Sequence, residues 1–253
     1  MRSARENDFP DPVLAPDDID LIAISAFDSS GFPLEINPDI VWPKLTSFGS
    51  NWDSETLISA YRVGLFPMPY EIDENESAIG WWSPKSRAIF YPDQIHISTS
   101  LKSAVKKFSV TVNQEFEAVM RACGNPDRES GWINEDVISA FTALHQMGVA
   151  HSIEVWDSEG RLAGGLYGIE LGGVFAGESM FHVTKNASKV ALVHLGKLLS
   201  DGSGRIIDTQ WMTSHLESMG AKPIDRGDYC QLLPKLMAIP PILSRLPGRP
   251  KSS

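Results

Sequence analysis

Val174-Phe-Ala-Gly-Glu-Ser-Met-Phe181 is an apolar run broken by one carboxylate, Glu178. It is the last of three similar segments. Ser152 to Trp156 and Leu162 to Glu170 precede it, separated by Asp157-Ser-Glu-Gly160 and Leu171-Gly-Gly173. Short apolar runs bounded by Gly- and Asp-rich turns predict strands, and together these three predict an antiparallel meander. Arg205-Ile-Ile-Asp-Thr-Gln-Trp211 reads as a further strand, in which alternation would place Asp208 and Gln210 on one face. An ionised carboxylate in a buried strand is costly unless it is paired or used. Glu178, Asp208 and Gln210 are therefore the first candidates for chemistry. Strict alternation puts Phe175 on the face opposite Glu178 and Met180. If Phe175 shares their pocket, a β-bulge must lie between them.

Helical periodicity fills the spaces around these strands. Asp53 or Ser54 predicts the cap of a helix carrying Leu57, Ile58, Tyr61 and Arg62, with Gly64 as its stop. Phe66-Pro-Met-Pro69 reads as a stiff turn, and Arg87-Ala-Ile-Phe90 begins a strand. A basic helix (about 98–107), a strand (108–112) and helices at 113–122 and 134–147 lead into the meander. Beyond it, Asn186 is a candidate cap for a helix bearing Val190, Val193, Leu195, Leu198 and Leu199, stopped by Gly202 and Gly204. Ser214 to Met219 and Arg226 to Leu236 predict two more helices. The expected fold class is α/β (α+β), with a mixed sheet. A boundary near residue 84 would divide a small N-terminal domain, 1–84, from a larger domain, 85–239. Residues 1–40, acidic and proline-rich, read as a loose lead, and 240–253 as a mobile tail.

With 253 residues, 42% hydrophobic and 21% charged, the chain can bury a sizeable core. No apolar stretch approaches the roughly 18 residues of a membrane helix, so no membrane association is expected. Met1 to Asp20 has two arginines but no apolar run, so no secretory leader is expected. Cys123 and Cys230 match no metal or redox spacing and read as reduced thiols in a cytoplasm. The net charge of −10 is unevenly spread. Residues 1–80 carry 15 Asp/Glu against 4 Lys/Arg, whereas 81–253 carry 17 against 18. Lys102, Lys106 and Lys107 stand at helical spacing within a locally basic stretch. They are either a solvated helix face or a small phosphate-contacting patch.

Familiar catalytic signatures are absent: there is no G-x-S-x-G, H-E-x-x-H, P-loop or dinucleotide fingerprint. His145 and His151 flank a turn and are candidate ligands, although no metal is expected. His215, five residues past Gln210, is a candidate for a structural hydrogen bond. The carboxylates also have structural readings. Glu178 could sit in a buried ion pair with Lys185 or Lys189, Asp208 could bond a neighbouring loop, and Gln210 could satisfy backbone groups.

Seven landmarks then fall in order: Ala60-Tyr-Arg-Val-Gly-Leu-Phe-Pro67, Trp81-Trp-Ser-Pro84 with Arg87, His151-Ser-Ile-Glu-Val-Trp156, Gly164-Gly-Leu-Tyr-Gly168, Gly177-Glu-Ser-Met-Phe181, Asn186-Ala-Ser-Lys189 and Asp208-Thr-Gln210. Over roughly residues 54–235 the chain resembles the leucyl/phenylalanyl-tRNA–protein transferase family. The resemblance implies a small N-terminal domain followed by an acetyltransferase-like (GNAT-like) domain with a mixed, largely antiparallel sheet. It implies transfer of Leu or Phe, with Met as a further candidate, from aminoacyl-tRNA to proteins beginning with Lys or Arg. That modification marks its targets for degradation in the bacterial cytoplasm. No cofactor is expected, and the enzyme is expected to be a monomer. Carried over by position, Glu178, Asp208 and Gln210 match catalytic-centre residues. Tyr61, Trp132, Phe175 and Met180 match positions at or near the aminoacyl pocket. Lys102, Lys106 and Lys107 match a tRNA-contacting basic helix. The chain departs from the family pattern at Phe48-Gly-Ser-Asn-Trp52, and at the substrate-site positions Met68, Phe141, Leu166 and Thr213. Thr99 and Ser103 replace arginines of the basic helix.

An aminoacyl-tRNA ester is already activated, so no covalent nucleophile is required. The resemblance implies that Asp208 orients Gln210 and offsets developing ammonium charge, that Gln210 holds the attacking amine, and that Glu178 pairs with a cation. Proton transfer assisted by the tRNA 3′-terminal ribose competes with relay through Gln210, because a neutral amide is a poor base. Two other readings stand beside this one. A CoA-dependent N-acetyltransferase would want a glycine-rich loop before its helix, which Lys185-Asn-Ala-Ser188 lacks. A non-catalytic binder of tRNA or of basic N-termini would use the carboxylates only to hold its client.

Overall fold

The computed structural model describes residues 19–22, 52–73, 76–125 and 133–246. Trp132, most of the acidic lead, residues 48–51 of the altered loop and residues 247–253 of the expected tail lie outside the described residues. Asp53 caps the first helix, Ser54–Arg62 (α1), accepting the Thr56 N–H at 2.8 Å. Gly64 turns the chain out of it at φ +84°. Ile19–Ile22 (β1), Phe66–Asp73 (β2) and Glu76–Pro84 (β3) form a small antiparallel sheet in the order β1-β3-β2. Phe66-Pro-Met-Pro69, read as a turn, is the start of β2. Its prolines stand two apart on an edge strand, so both missing N–H groups fall on the unpaired side.

The remaining strands are Ser86–Phe90 (β4), Ser109–Val112 (β5), Ala150–Trp156 (β6), Leu162–Leu171 (β7), Val174–His182 (β8), Ile206–Asp208 (β9) and Lys222–Asp225 (β10). They make one sheet in the order β10-β4-β9-β8-β7-β6-β5. β5 to β8 are the predicted antiparallel meander. β8 and β9 run parallel, and β4 pairs antiparallel with both β9 and β10. The sheet is thus mixed and largely antiparallel, as expected.

Helices cover both faces: Thr99–Val105 (α2), Phe116–Cys123 (α3), Glu135–Gln146 (α4), Ala187–Leu199 (α5), Ser214–Ser218 (α6) and Arg226–Met237 (α7). The period-2 alternation of β7 divides the core. Tyr167 joins α1, α3, α4 and the β2–β3 hairpin through Leu57, Phe116, Phe141 and Trp81. Leu166 joins α2 and α5 through Leu101, Val190 and Leu195. A third cluster ties α7 to β4, β8 and β9 through Leu233, Ile89, Val174 and Ile206. Among the described residues no helix is long and apolar enough to cross a membrane.

Four local expectations are corrected. β9 ends at Asp208, because Gln210 adopts φ +63° and turns the chain out of the sheet. Asn186 stands at the N-cap of α5 in the left-handed region, φ +73°, with no side-chain capping bond. α2 ends at Val105, so Lys106 and Lys107 lie just past its last turn. Residues 240–246 pack down at the start of the expected tail. Glu170 accepts the N–H groups of Ile242 (2.9 Å) and Leu243 (2.8 Å), and the Leu243 side chain is fully buried.

Candidate active site

The bulge that a shared pocket required is present, and Glu178 is the extra residue. Gly168 pairs with Gly177 and Tyr167 with Ser179, so Glu178 has no opposite number on β7. After the bulge the parity reverses, and Phe175 and Met180 come to the same side of the sheet, with α5. Gly168 permits this close approach, since a Cβ there would lie 2.2 Å from the Ala176 carbonyl oxygen.

Glu178 is 2% exposed. Burial pushes its carboxyl pKa up to about 8; the Asp208 charge adds to the rise, while Tyr61, Arg87 and Gln210 oppose it. Gln210 donates its Nε2–H to Glu178 Oε1 at 3.1 Å, which leaves the Gln210 carbonyl oxygen as an acceptor. No ion pair with Lys185 or Lys189 holds Glu178; its hydrogen-bond partner is this amide. The Tyr61 hydroxyl approaches from the α1 side. It makes no hydrogen bond of regular geometry, yet lies close enough to favour the carboxylate. Burial holds both Tyr61 and Tyr167 well above the usual phenol range, with the Glu178 charge adding to each.

Asp208 is completely buried and differently used. Arg87 Nε donates to both of its oxygens at 3.0 Å, and Arg87 Nη2 to Oδ2 at 2.7 Å. Tyr229 donates its hydroxyl to Oδ2 at 2.8 Å, and the Gln210 backbone N–H reaches Oδ1 at 2.9 Å. Asp208 therefore does hold Gln210, but through the main chain. The expected sharing of one strand face is replaced by a side-chain–backbone turn.

Glu178 and Gln210 line a mainly apolar pocket with about 580 Å³ of empty space, counting its open mouth. Of the residues singled out in the sequence, Leu166, Phe175, Met180 and Thr213 line it. Thr213 also caps α6 through its hydroxyl. Asp208, Tyr61, Met68 and Phe141 are not in its wall. Met68 and Phe141 are buried in the cluster beneath the opposite face, where Phe141 packs edge-on against Tyr167 at 5.6 Å. Sequence reasoning missed Leu192, Leu195, Ile207 and Trp211 of the wall. The α5 pair belongs to that helix's apolar residues, a signal shared with ordinary core packing. His215 also lines this wall.

Lys102, Lys106 and Lys107 are all exposed. His145 Nδ1 bonds the Ala150 carbonyl at 2.9 Å and the ring stacks on Phe116, while His151 bonds the Asn113 amide at 3.0 Å. Among the described residues no group of three or more His, Cys, Asp or Glu side chains could hold a metal ion. The site can bind an apolar side chain, accept hydrogen bonds from an amine, and ionise Glu178 when a cation arrives.

Two family models match the chain: leucyl/phenylalanyl-tRNA protein transferase over residues 89–234, and the N-terminal domain of the same transferase over 52–85. A leucyl/phenylalanyl-tRNA–protein transferase of Nitrosomonas europaea is 46% identical over 202 residues, covering 78% of this chain and 83% of the relative. One from Shewanella baltica is 47% identical over 196 residues, covering 76% and 81%. Among solved structures, a GCN5-related N-acetyltransferase from Kribbella flavida aligns at TM-score 0.37 and 7% identity, covering 55% of this chain and 54% of that one. Residues 52–85 and 89–234 take in the elements from α1 to most of α7, and the chain belongs to the leucyl/phenylalanyl-tRNA–protein transferase family.

Proposed function

We propose that the chain transfers leucine or phenylalanine from aminoacyl-tRNA to the N-terminal α-amine of proteins beginning with Lys or Arg, and so marks them for degradation. The observation that carries this reading is an apolar pocket whose wall includes the hydrogen-bonded pair Glu178–Gln210. The pocket takes the aminoacyl side chain against Leu166, Phe175 and Met180. A side chain that differs by one methylene is discriminated by about 1–3 kcal/mol in such a pocket. The ester carbonyl then faces Glu178 and Gln210.

The incoming α-amine has a pKa of roughly 7.7–8, so a useful fraction is neutral near pH 7. Its lone pair attacks the ester carbonyl carbon, a C–N bond forms, and the C–O bond to the tRNA 3′-terminal ribose breaks. One proton passes from the nitrogen to the departing ribose oxygen. Gln210 accepts an N–H of the attacking amine through its carbonyl oxygen. Glu178, ionised by the arriving positive charge, balances the aminoacyl α-ammonium or the acceptor's basic side chain. Asp208 keeps Gln210 in place from behind the wall. Positioning and charge balance supply the acceleration. Lys102, Lys106 and Lys107 hold the tRNA backbone. The enzyme works as a cytoplasmic monomer, with its domain boundary between β3 and β4.

The test is transfer of label from Leu-tRNA or Phe-tRNA to a peptide beginning with Arg. Label in the peptide supports the reading. Label arriving only from acetyl-CoA, or binding without transfer, refutes it.

A further inference from the structure

We propose that Arg87 and Tyr229 are positioning residues for this transfer: they fix Asp208 so that it holds Gln210 in the left-handed turn that carries its amide to Glu178. The inference rests on the transferase reading and assigns two residues that reading does not use. Asp208 has no capacity left for a substrate. Oδ1 accepts from Arg87 Nε and from the Gln210 N–H, and Oδ2 from Arg87 Nη2 and the Tyr229 hydroxyl. A carboxylate that already accepts from at least two donors on each oxygen, and has no exposed surface, acts on the reaction only through what it holds. What it holds is a non-glycine residue at φ +63°, a conformation that persists only where its surroundings impose it.

Arg87 is the centre of this clamp. It is 1% exposed, and its guanidinium lies 4.5 Å from the Tyr229 ring centroid and 4.9 Å from that of Phe66. Its Nη1 donates to the Gly64 carbonyl at 2.6 Å. Gly64 and Phe66 belong to the turn after α1 and the start of β2, and Phe66 packs edge-on against Trp211 of the pocket wall at 5.0 Å. The seating of the N-terminal unit is therefore mechanically linked to the placement of Gln210.

The experiment compares Tyr229→Phe and Arg87→Lys with the wild type. Tyr229→Phe removes one hydroxyl and keeps the ring; Arg87→Lys keeps the charge and loses the fork. With Leu-tRNA and an Arg-peptide, kcat should fall about 10- to 100-fold in each, with both KM values within about twofold. A purely structural role would lower the amount of folded enzyme and leave kcat per folded molecule intact. The Gln210 side-chain amide signal of ¹⁵N-labelled protein without substrate, assigned by its loss in Gln210→Ala, should shift in Tyr229→Phe. If Arg87→Lys does not fold, Tyr229→Phe decides. Wild-type kcat or an unmoved Gln210 signal in Tyr229→Phe overturns the proposal. A wild-type enzyme that transfers no label refutes the transferase reading, and the amide signal then still decides the clamp.

Discussion

Replacing Glu178 by glutamine should make the protein more stable at alkaline pH, and the difference should grow with pH in a calculable way. The Glu178 carboxyl has a folded-state pKa near 8 against an ordinary value of 4.5, chiefly because it is buried. The folded state keeps a proton that the unfolded state releases. Stability from the neutral acid is therefore complete below pH 4.5 and is lost as pH rises through 8. The full separation corresponds to about 5 kcal/mol. About 2 kcal/mol of this is already lost at pH 6, so the wild type should lose about a further 3 kcal/mol between pH 6 and pH 9. Glu178→Gln has no such proton, fills the same volume, and can still accept the Gln210 Nε2–H through its amide oxygen. Urea unfolding of both proteins across this range measures the difference, and other titrating groups cancel. Parallel stability curves would refute the argument, because they would mean that Glu178 ionises in the folded protein as it does in water. The same reasoning predicts that an Arg-peptide displaces about one proton on binding at pH 7, read by calorimetry in buffers of different ionisation enthalpy.

Gln210→Ala should stay folded and lose about 100-fold in kcat. Asp208→Ala should cost about 3–5 kcal/mol of stability as well, because it strands a buried guanidinium. Wild-type turnover in both would remove the proposed roles. Replacing Lys102, Lys106 and Lys107 together by alanine should weaken Leu-tRNA binding and flatten its dependence on salt by up to about three phosphate contacts; an unchanged slope would remove α2 and the residues just after it from the interface. Glu170→Ala leaves the N–H groups of Ile242 and Leu243 without their acceptor, at a cost of about 2–3 kcal/mol. Amide exchange at those two residues should accelerate; unchanged protection would show that the buried Leu243 and the Arg205 bond to the Pro240 carbonyl hold the segment without Glu170.

The meander was legible because it is local. Its turns lie within a few residues of its strands, and the strands stand out in the sequence as short apolar runs between those turns. The bulge was legible only conditionally, from the demand that Phe175 and Met180 share a pocket. What escaped was non-local. Phe66-Pro-Met-Pro69 carries the signal of a turn, and nothing nearby says that β3 will make it an edge strand. Residues 240–246 look like a tail because their partner, Glu170, is about 72 residues away. Arg205 to Trp211 has the composition of a strand, yet it stops at Asp208 because that side chain captures the backbone of Gln210.

The two carboxylates were equally conspicuous in sequence, each alone in an apolar run, and the physical argument against burying charge applies to both. The fold resolves them in opposite ways. Asp208 is matched by a guanidinium 121 positions earlier, and its oxygens are filled, so its charge is spent inside the protein. Glu178 receives one neutral amide and two tyrosines that lie near without a hydrogen bond of regular geometry, and it lines the pocket. Its charge is withheld until something cationic enters. Arg87 decides this division, and from the sequence it was only one letter in a landmark. A buried acid is thus classed by its partner's position, which strand patterns do not encode. The residue left without a cationic partner is the one free to respond to a substrate.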